Sequence, residues 1–399
     1  MRLQLIFTAL LLSLHLLAQD DAAPDTTSVK NFSEEKRKAV DVDFMFNYYN
    51  QDGDHSAVTG GRGTEKLEDY ASKIIVNVPL PANSEVKFNI HVNYYTSAST
   101  DRIDENRSSA SRKDIHAQIE QEYTRFHPQK KRTLGFLAGG AIESDYLSGF
   151  VGGKWAKQSK DANREFEIKA VAFFDALQLI FPDELRDSAY LDAATNKRRT
   201  FSCLFTYSQV FTKKMMAAVS SDFIYQNGLL STPFHRVYFK GSPKARIEKL
   251  PLHRVKFPLA IRVNYFPAKW LVTRFYYRFY YDNFGIIANT FSIELPFKIK
   301  SVFSISPFYR LYHQTAAEYF REYGEHEPDA LYYSSDYDLS EFLNHKIGIE
   351  LVYSPRPRMA KPEGEKKLKL GNAGLRYANY FRSDGLRSFL VSFQLGIKI

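Results

Sequence analysis

The sequence predicts an all-β protein, a transmembrane antiparallel β-barrel of about 16 strands within a range of 14 to 18. Three observations lead to this prediction. Apolar and polar side chains alternate along most of the chain, an apolar leader opens it, and short connections alternate with long ones. Short periplasmic turns on one rim and long extracellular loops on the other are typical of outer-membrane barrels.

Residues 86–95 show the alternation most clearly. Val86, Phe88, Ile90, Val92 and Tyr94 take every second position, and polar side chains or Tyr95 stand between and after them. Because successive side chains of a strand point to opposite faces, this strand has one apolar and one polar face. The pattern returns at near-regular spacing to the C-terminus, which favours apolar side chains that meet lipid over a protein core.

The composition agrees with strands rather than membrane helices. Mean hydropathy is −0.37 and only the first stretch of the chain is continuously apolar, whereas each membrane helix needs about 20 consecutive apolar residues. The chain is rich in Tyr (26) and Phe (32), which suit pleated strands and the aromatic girdles at membrane interfaces.

The net charge of +9 does not indicate a nucleic-acid partner, because no run of Lys and Arg is dense enough to follow a phosphate backbone. We expect these cations at turns and in a wet lumen. The single cysteine, Cys203, excludes an internal disulfide and a cysteine-based zinc site.

Three regions follow from the chain's organisation. Residues 1–18 carry Arg2 and a Leu-rich stretch that ends at Ala18, which predicts a cleavable signal peptide. Residues 19–38 are polar and predict a flexible periplasmic leader, and residues 39–399 predict the barrel. The expected location is the outer membrane of a Gram-negative bacterium, with its lipid as a partner.

Sixteen segments carry the alternating pattern. They are residues 40–49, 67–78, 86–95, 114–126, 133–144, 149–158, 166–175, 200–211, 215–225, 257–266, 271–282, 286–296, 302–313, 345–353, 368–380 and 388–398. The long connections after the ninth and thirteenth segments, rich in Tyr, Pro and charge, are the candidates for folding into the lumen.

Five long runs of the sequence resemble one known family. They are YYNQDGDHSAVTGGRGTEKLEDY from Tyr48, NYYTSASTDRIDENRSSASRKD from Asn93, GAIESDYLSGFVGGKW from Gly140, FFDALQLIFPDELR from Phe173 and LLSTPFHRVYF from Leu229. The family is an uncharacterised group of outer-membrane barrels, domain-of-unknown-function family 3570. The resemblance implies a barrel but supplies no catalytic residues. It also implies, through the neighbours of its members, partners among periplasmic redox or flavin-transferring proteins.

Two loop motifs raise ligand hypotheses. Asp52 and Asp54 in one long loop, with Asp101 and Asp104 in the next, predict a shared calcium ion, since carboxylates are the ligands calcium prefers. The alternative is a solvated Asp-Gly turn. The Gly-rich residues 59–64 lack the ending of a phosphate-binding loop, which favours a flexible loop with positive φ.

Two charged sets are predicted inside the barrel. A basic stripe lies on one wall, formed by Arg262, Arg274, Arg278 and Arg310. A polar and acidic set lies elsewhere, formed by Asp41, Asp43, His91, His116, Glu120, Glu122 and Glu167. The two sets either create a transverse field that favours polar solutes or pair across the lumen and plug it. His91 and His116, near the glutamates, could hold a metal or a proton, or simply be hydrogen-bonded in a polar lumen.

The function predicted from these features is a non-enzymatic outer-membrane barrel, either a channel or a scaffold for a partner. No cofactor is expected beyond the calcium ion. One alternative is a hydrolase-like enzyme at the rim, although the sequence carries no Gly-x-Ser-x-Gly elbow. The other is a soluble, secreted β-sandwich that binds a ligand.

Overall fold

The computed structural model describes residues 39–96, 113–186, 195–300, 302–355 and 369–399. The predicted signal peptide and leader lie outside these residues and stay predictions. Within the described part of the chain, almost all regular structure is β-strand.

Sixteen strands of the described residues form one closed ring. In chain order they are β1 (Asp41–Asp52), β2 (Leu67–Leu80), β3 (Ser84–Thr96), β4 (Lys113–His127), β5 (Arg132–Ile142), β6 (Tyr146–Gln158), β7 (Arg164–Leu177), β8 (Lys197–Thr212), β9 (Met215–Gly228), β10 (His253–Ala268), β11 (Leu271–Asp282), β12 (Ile287–Glu294 and Phe297–Ile299), β13 (Phe303–Gln314), β14 (Phe342–Tyr353), β15 (Lys369–Arg382) and β16 (Arg387–Lys398). Each strand pairs with its sequence neighbours in antiparallel fashion, and β1 also pairs with β16. This confirms the predicted barrel and shows that the two-sheet sandwich alternative is wrong.

Only β12 is interrupted among the described strands. Pro296 stands at the break, where proline can donate no hydrogen bond to the ladder. The ladder continues around it, because the N–H of Val272 donates to the carbonyl of Pro296 at 3.0 Å and the N–H of Leu295 donates to Pro307 at 3.0 Å.

The apolar rows face outward. Phe136, Ile347 and Tyr277 are 59%, 55% and 42% exposed on three different strands, while the charged positions that alternate with them point into the ring. In hydrocarbon, backbone groups must pair within the protein, and a closed ring satisfies this condition. This pattern fixes the register of every strand, because a slip of one residue would move the charged side chains from the inner face of the ring to its apolar outer face.

The connections separate the two rims. One rim carries the first residue of β1, the last residue of β16 and the tight turns at residues 81–83, 128–131, 159–163, 213–214 and 269–270, and the short connection from Ile299 to Phe303 lies on the same rim. The other carries the long loops, including residues 53–66, 229–252 and 315–341. We refer to these as the turn rim and the loop rim. The connection from Tyr353 to Lys369 joins two strand ends on the turn rim and is longer in sequence than the others there.

Three 3₁₀ turns lie among the described residues, Ala57–Thr59, Asp183–Leu185 and Tyr337–Leu339. No helix of the described residues is both long and apolar enough to cross a membrane.

Candidate functional site

The two longest loops pack together over the loop rim. We call residues 229–252 and 315–341 the cap. One apolar cluster of the cap joins it to the barrel and contains Leu250, Phe284, Ile286, Ala288, Ala317 and Phe320. A second lies within the cap and contains Val237, Phe239 and Tyr333. Burying these side chains holds the two loops together, at roughly 1.5–3 kcal/mol for each large side chain fully buried.

Backbone hydrogen bonds also join the two cap loops. Lys249 and Tyr333 exchange both N–H···O bonds, at 3.1 and 2.8 Å. The N–H of Lys240 donates to the carbonyl of His326 at 2.9 Å. Within the first loop, Arg236–Val237 and Arg246–Ile247 form a short antiparallel hairpin. The cap is therefore a folded element, whereas the prediction for these two loops was that they fold into the lumen.

The Gly-rich loop fastens onto the cap. Gly60 and Gly61 have φ of +83° and +88°, as predicted for this motif. A Cβ on Gly60 would lie 2.6 Å from Cδ2 of Tyr238, and one on Gly61 would lie 2.9 Å from Cε2 of Tyr337. The His55 ring stacks on Tyr337 with centroids 3.9 Å apart. These glycines therefore permit close packing against the cap.

A cavity of about 520 Å³ lies between the cap and the barrel wall. Asp338 and Leu339 of the cap line it from the loop rim, and Arg278, Arg310 and Lys346 line it from the wall. Two adjoining cavities of about 400 and 330 Å³ share Lys346 with it. Lys346 therefore lies where the three cavities adjoin.

The predicted basic stripe borders this space. Arg262, Arg274, Arg278 and Arg310 all line the cavity of about 400 Å³, together with Arg376. Sequence reasoning missed Lys346 and Arg376, although both stand on the polar face of a predicted strand. We call these six side chains the basic wall.

Carboxylates compensate only part of the basic wall. Arg274 pairs with Glu294 at 2.5 Å, and Arg376 lies 3.3 Å from Glu294 and 3.5 Å from Glu350. The remaining four cations form no ion pair with any described carboxylate; they are Arg262, Arg278, Arg310 and Lys346. The guanidinium groups of Arg262 and Arg278 instead lie 5.6 Å from the ring centroids of Tyr276 and Tyr280. The wall thus carries an excess of positive charge.

The opposite side of the ring is paired. Glu167 binds Lys154 at 3.0 Å, and Glu122 lies 3.9 Å from Lys169. We call this lysine–glutamate region of β4, β6 and β7 the paired wall. The sequence analysis named Glu122 and Glu167 but did not predict that Lys154 and Lys169 would pair with them. The two described lysines of this region thus face glutamates, whereas four of the six cations of the basic wall form no ion pair with a described carboxylate.

Other predicted polar residues lie apart from the basic wall. The rings of His91 and His116 come together with centroids 6.2 Å apart, and Glu120 stands on the same inner face of β4 as His116. At the turn rim Asp41 pairs with Lys398 at 3.1 Å, and Asp43 lies near Gly396. None of these predicted side chains lines any of the three cavities.

The calcium hypothesis is not tested by the structure. Asp52 and Asp54 are exposed, and neither belongs to a group of three or more ligand side chains among the described residues. Asp101 and Asp104 lie outside the described residues. The shared calcium ion stays a prediction.

A second cluster of ionisable side chains lies inside the cap and was missed by sequence reasoning. Ligand atoms of His235, Glu248 and Asp336 lie within 4.8 Å of one another. Burial raises the pKa of Asp336 to about 6, although the facing His235 opposes this rise. The residues stand in loops without periodic pattern, so no sequence signal brings them together.

The fold, the exposed apolar belt and the charged lumen define the chain as an outer-membrane-type β-barrel. It belongs to the family described as protein of unknown function (DUF3570), whose profile matches residues 18–356. The predicted family is thereby confirmed. No curated protein sequence matches the chain at a significant level.

Several solved structures are similar in fold. A bacterial polysaccharide outer-membrane secretin matches with a TM-score of 0.47 and 9% identity, over 91% of this chain and 99% of that one. The outer-membrane protein OpdK of Pseudomonas aeruginosa matches with a TM-score of 0.38 and 8% identity, over 90% and 99%. The ferric enterobactin receptor PfeA of the same organism, as a double mutant, matches with 0.43 and 11%, over 85% and 53%.

Proposed function

We propose that this protein is a non-enzymatic barrel of the Gram-negative outer membrane that admits small anionic solutes to the cavity beneath its cap. Solutes would then pass along the basic wall when the cap opens. The outward apolar rows support the membrane location, because Lys or Arg facing lipid at mid-bilayer costs roughly 2–4 kcal/mol and the charges here face inward.

The observation that carries the proposal is the uncompensated charge beside the cavity. Arg278, Arg310 and Lys346 line the same space of about 520 Å³ and form no ion pair with a described carboxylate. That volume falls within the range of about 300–1,000 Å³ typical of small-molecule sites. Guanidinium groups bind carboxylates and phosphates through paired hydrogen bonds, so an anion of either kind suits the wall.

The test is ion selectivity in planar bilayers. The wild-type protein is compared with a variant in which residues 315–341 are replaced by a short Gly-Ser turn, after both are shown to be folded by heat-modifiable migration on a gel. A reversal potential in a KCl gradient should show preference for chloride, and the shortened variant should conduct more. Cation preference in the shortened variant, or no conductance from it, would overturn the proposal.

The expected redox or flavin-transferring partners, the scaffold role and the rim hydrolase stay predictions. A pull-down with periplasmic proteins checks the partners, and hydrolase screens check the enzyme.

A further inference from the structure

The ionisable cluster inside the cap has the composition of a metal site. His235 and Glu248 belong to the first cap loop and Asp336 belongs to the second, and their ligand atoms lie within 4.8 Å of one another. One imidazole with two carboxylates is a ligand set that binds zinc and neighbouring divalent metals. This cluster stands apart from the basic wall and the calcium hypothesis.

The backbone positions two of the ligands in register. The N–H of Glu248 donates to the carbonyl of His235 at 3.0 Å, as an extension of the short hairpin between Arg236–Val237 and Arg246–Ile247. The third ligand comes from the other loop, where the Ser335 hydroxyl donates to the carbonyl of Arg236 at 2.7 Å. Hydrogen bonds between the two loops therefore hold the cluster together without a metal ion.

Supporting hydrogen bonds orient the central carboxylate. The N–H of Thr232 donates to Oε2 of Glu248 at 2.6 Å, and the Ser334 hydroxyl donates to Oε1. Ser334 also accepts from the N–H of Asp336 at 3.1 Å. Metal-binding carboxylates are typically held in this way by outer hydrogen-bond donors.

One atom of the cluster is buried without a hydrogen-bond partner. Nδ1 of His235 is inaccessible to solvent and makes no hydrogen bond, and it lies 3.6 Å from Oε1 of Glu248. The Glu248 side chain is only 2% exposed. This imidazole nitrogen makes no hydrogen bond and faces a buried carboxylate oxygen. A cation bound between the two atoms would contact both of them.

Charge favours a divalent ion. In the deprotonated form that binds a metal, with both carboxylates ionised and the imidazole neutral, the cluster carries a charge of about −2, and each uncompensated buried charge costs several kcal/mol. A divalent metal neutralises the cluster, whereas a proton on His235 compensates only half of it.

We propose that His235, Glu248 and Asp336 bind a divalent transition metal, of which Zn²⁺ is the probe, and that this ion clasps the two cap loops together. The bound metal opposes separation of residues 229–252 from residues 315–341. Cap opening then depends on metal as well as on packing. The inference does not require the anion proposal, because metal binding is measured without transport.

The test uses the full chain, purified in detergent without a histidine tag and stripped with a chelator. Calorimetry with ZnCl₂ should show about one ion bound per chain. His235→Gln should bind Zn²⁺ more than about tenfold more weakly, and Ser334→Ala, which only loosens Glu248, should show a smaller loss. His313→Gln is the matched control, because His313 lies 3.5 Å from Glu341 in an exposed pair on the same rim.

A second readout follows the cap itself. Zn²⁺ should slow proteolytic cutting within residues 315–341 in the wild type and in His313→Gln but not in His235→Gln, with folding of each checked by heat-modifiable migration. Absence of Zn²⁺ binding by the wild type, or equal binding by His235→Gln, overturns the proposal.

Discussion

The basic wall and the paired wall lie on opposite sides of one lumen and differ in how many of their charged side chains form ion pairs. On the paired wall Lys154 of β6 pairs with Glu167 of β7, and Lys169 of β7 lies 3.9 Å from Glu122 of β4. On the basic wall Arg278, Arg310 and Lys346 line a cavity without described carboxylate partners. The difference follows from the residues on the inner faces, because β4 and β7 carry glutamates whereas β10, β11 and β13 carry arginines and no glutamate.

That difference separates structural charge from charge available to a ligand. A paired Lys and Glu cancel at short range, and in a wet lumen each such pair contributes about 0–1 kcal/mol to stability. Unpaired cations around a cavity retain a field that a solute can meet. Net charge alone therefore does not reveal which side of a barrel binds solute.

The largest expected effect is at the loop-rim end of the basic wall, where one carboxylate is fully buried. Asp282 is 0% exposed and accepts from Arg254 Nε at 2.9 Å and from Tyr280 at 2.6 Å. Asp282→Ala leaves the charge of Arg254 without its carboxylate partner and should lower the free energy of unfolding by about 3–5 kcal/mol. Guanidinium titration in detergent measures it. Glu167→Ala on the paired wall should lower the free energy of unfolding by less than about 1 kcal/mol. Equal losses from Asp282→Ala and Glu167→Ala would contradict the expectation that the fully buried carboxylate contributes more to stability.

The next effect tests a feature that the two walls share. A Cβ on Gly348 would lie 2.4 Å from Cζ of Phe308, and one on Gly139 would lie 2.4 Å from Cζ of Phe150. Gly→Ala at either position overpacks the inner face and should cost about 1–3 kcal/mol in the same titration. Gly149→Ala is the control, because nothing lies within 4 Å of its Cβ. A loss at only one wall would show that the walls also differ in packing.

Ion selectivity should respond on one wall only. Removing a charge at about 4 Å in water changes an interaction by about 1 kcal/mol, so Arg278→Gln with Arg310→Gln should lower the anion-to-cation permeability ratio at least about fivefold. Lys154→Gln with Lys169→Gln should change it far less, since each lysine already has a glutamate partner. Reversal potentials measure both variants, and similar changes would contradict the comparison.

The smallest effect is a pH dependence next to the basic wall. Burial raises the pKa of Glu65 to about 7, Asp338 adds to the rise, and Arg382 opposes it, with weaker contributions from Asp336 and Asp384. Because the folded pKa lies above the unfolded value of 4.5, protonated Glu65 stabilises the fold below pH 4.5, and this contribution is lost as the pH rises through 7.

We therefore expect the loop around Glu65 to become easier to cleave between pH 5 and pH 8. Glu65→Gln should remove that dependence, and Asp54→Asn, an exposed change in the same loop, should keep it. Limited proteolysis across this range measures it. A wild type that becomes more resistant at higher pH would reverse the assigned sign.

The strands could be predicted from sequence because lipid and lumen impose opposite chemistry on alternate side chains. All sixteen predicted segments correspond to strands, yet β14 begins at Phe342 rather than at residue 345. Phe342 is apolar and buried, so this position on the inner face lacks the polar side chain that the alternating pattern requires. The sequence analysis likewise predicted residues 286–296 as one uninterrupted strand and did not predict the break of β12 at Pro296.

The site was predictable only in part. The four arginines of the stripe follow from strand periodicity, because each stands on the polar face of its own strand. Lys346 obeys the same rule, but its place at the centre of three cavities depends on the cap above it. His235 and Glu248 meet through a hairpin of two residues on each arm, which is too short to leave a periodic signal.

The seam between β1 and β16 has a consequence for assembly. All twelve residues of β1 are in register with β16, and Asp41 and Lys398 join its turn-rim end. The first strand therefore cannot pair with β16 until the last strand has been made. Until then the backbone N–H and C=O groups on one edge of β1 and one edge of β16 have no strand partner. Entry into hydrocarbon with those edges open costs several kcal/mol for each unpaired backbone group, so insertion and closure of the nascent ring must occur together.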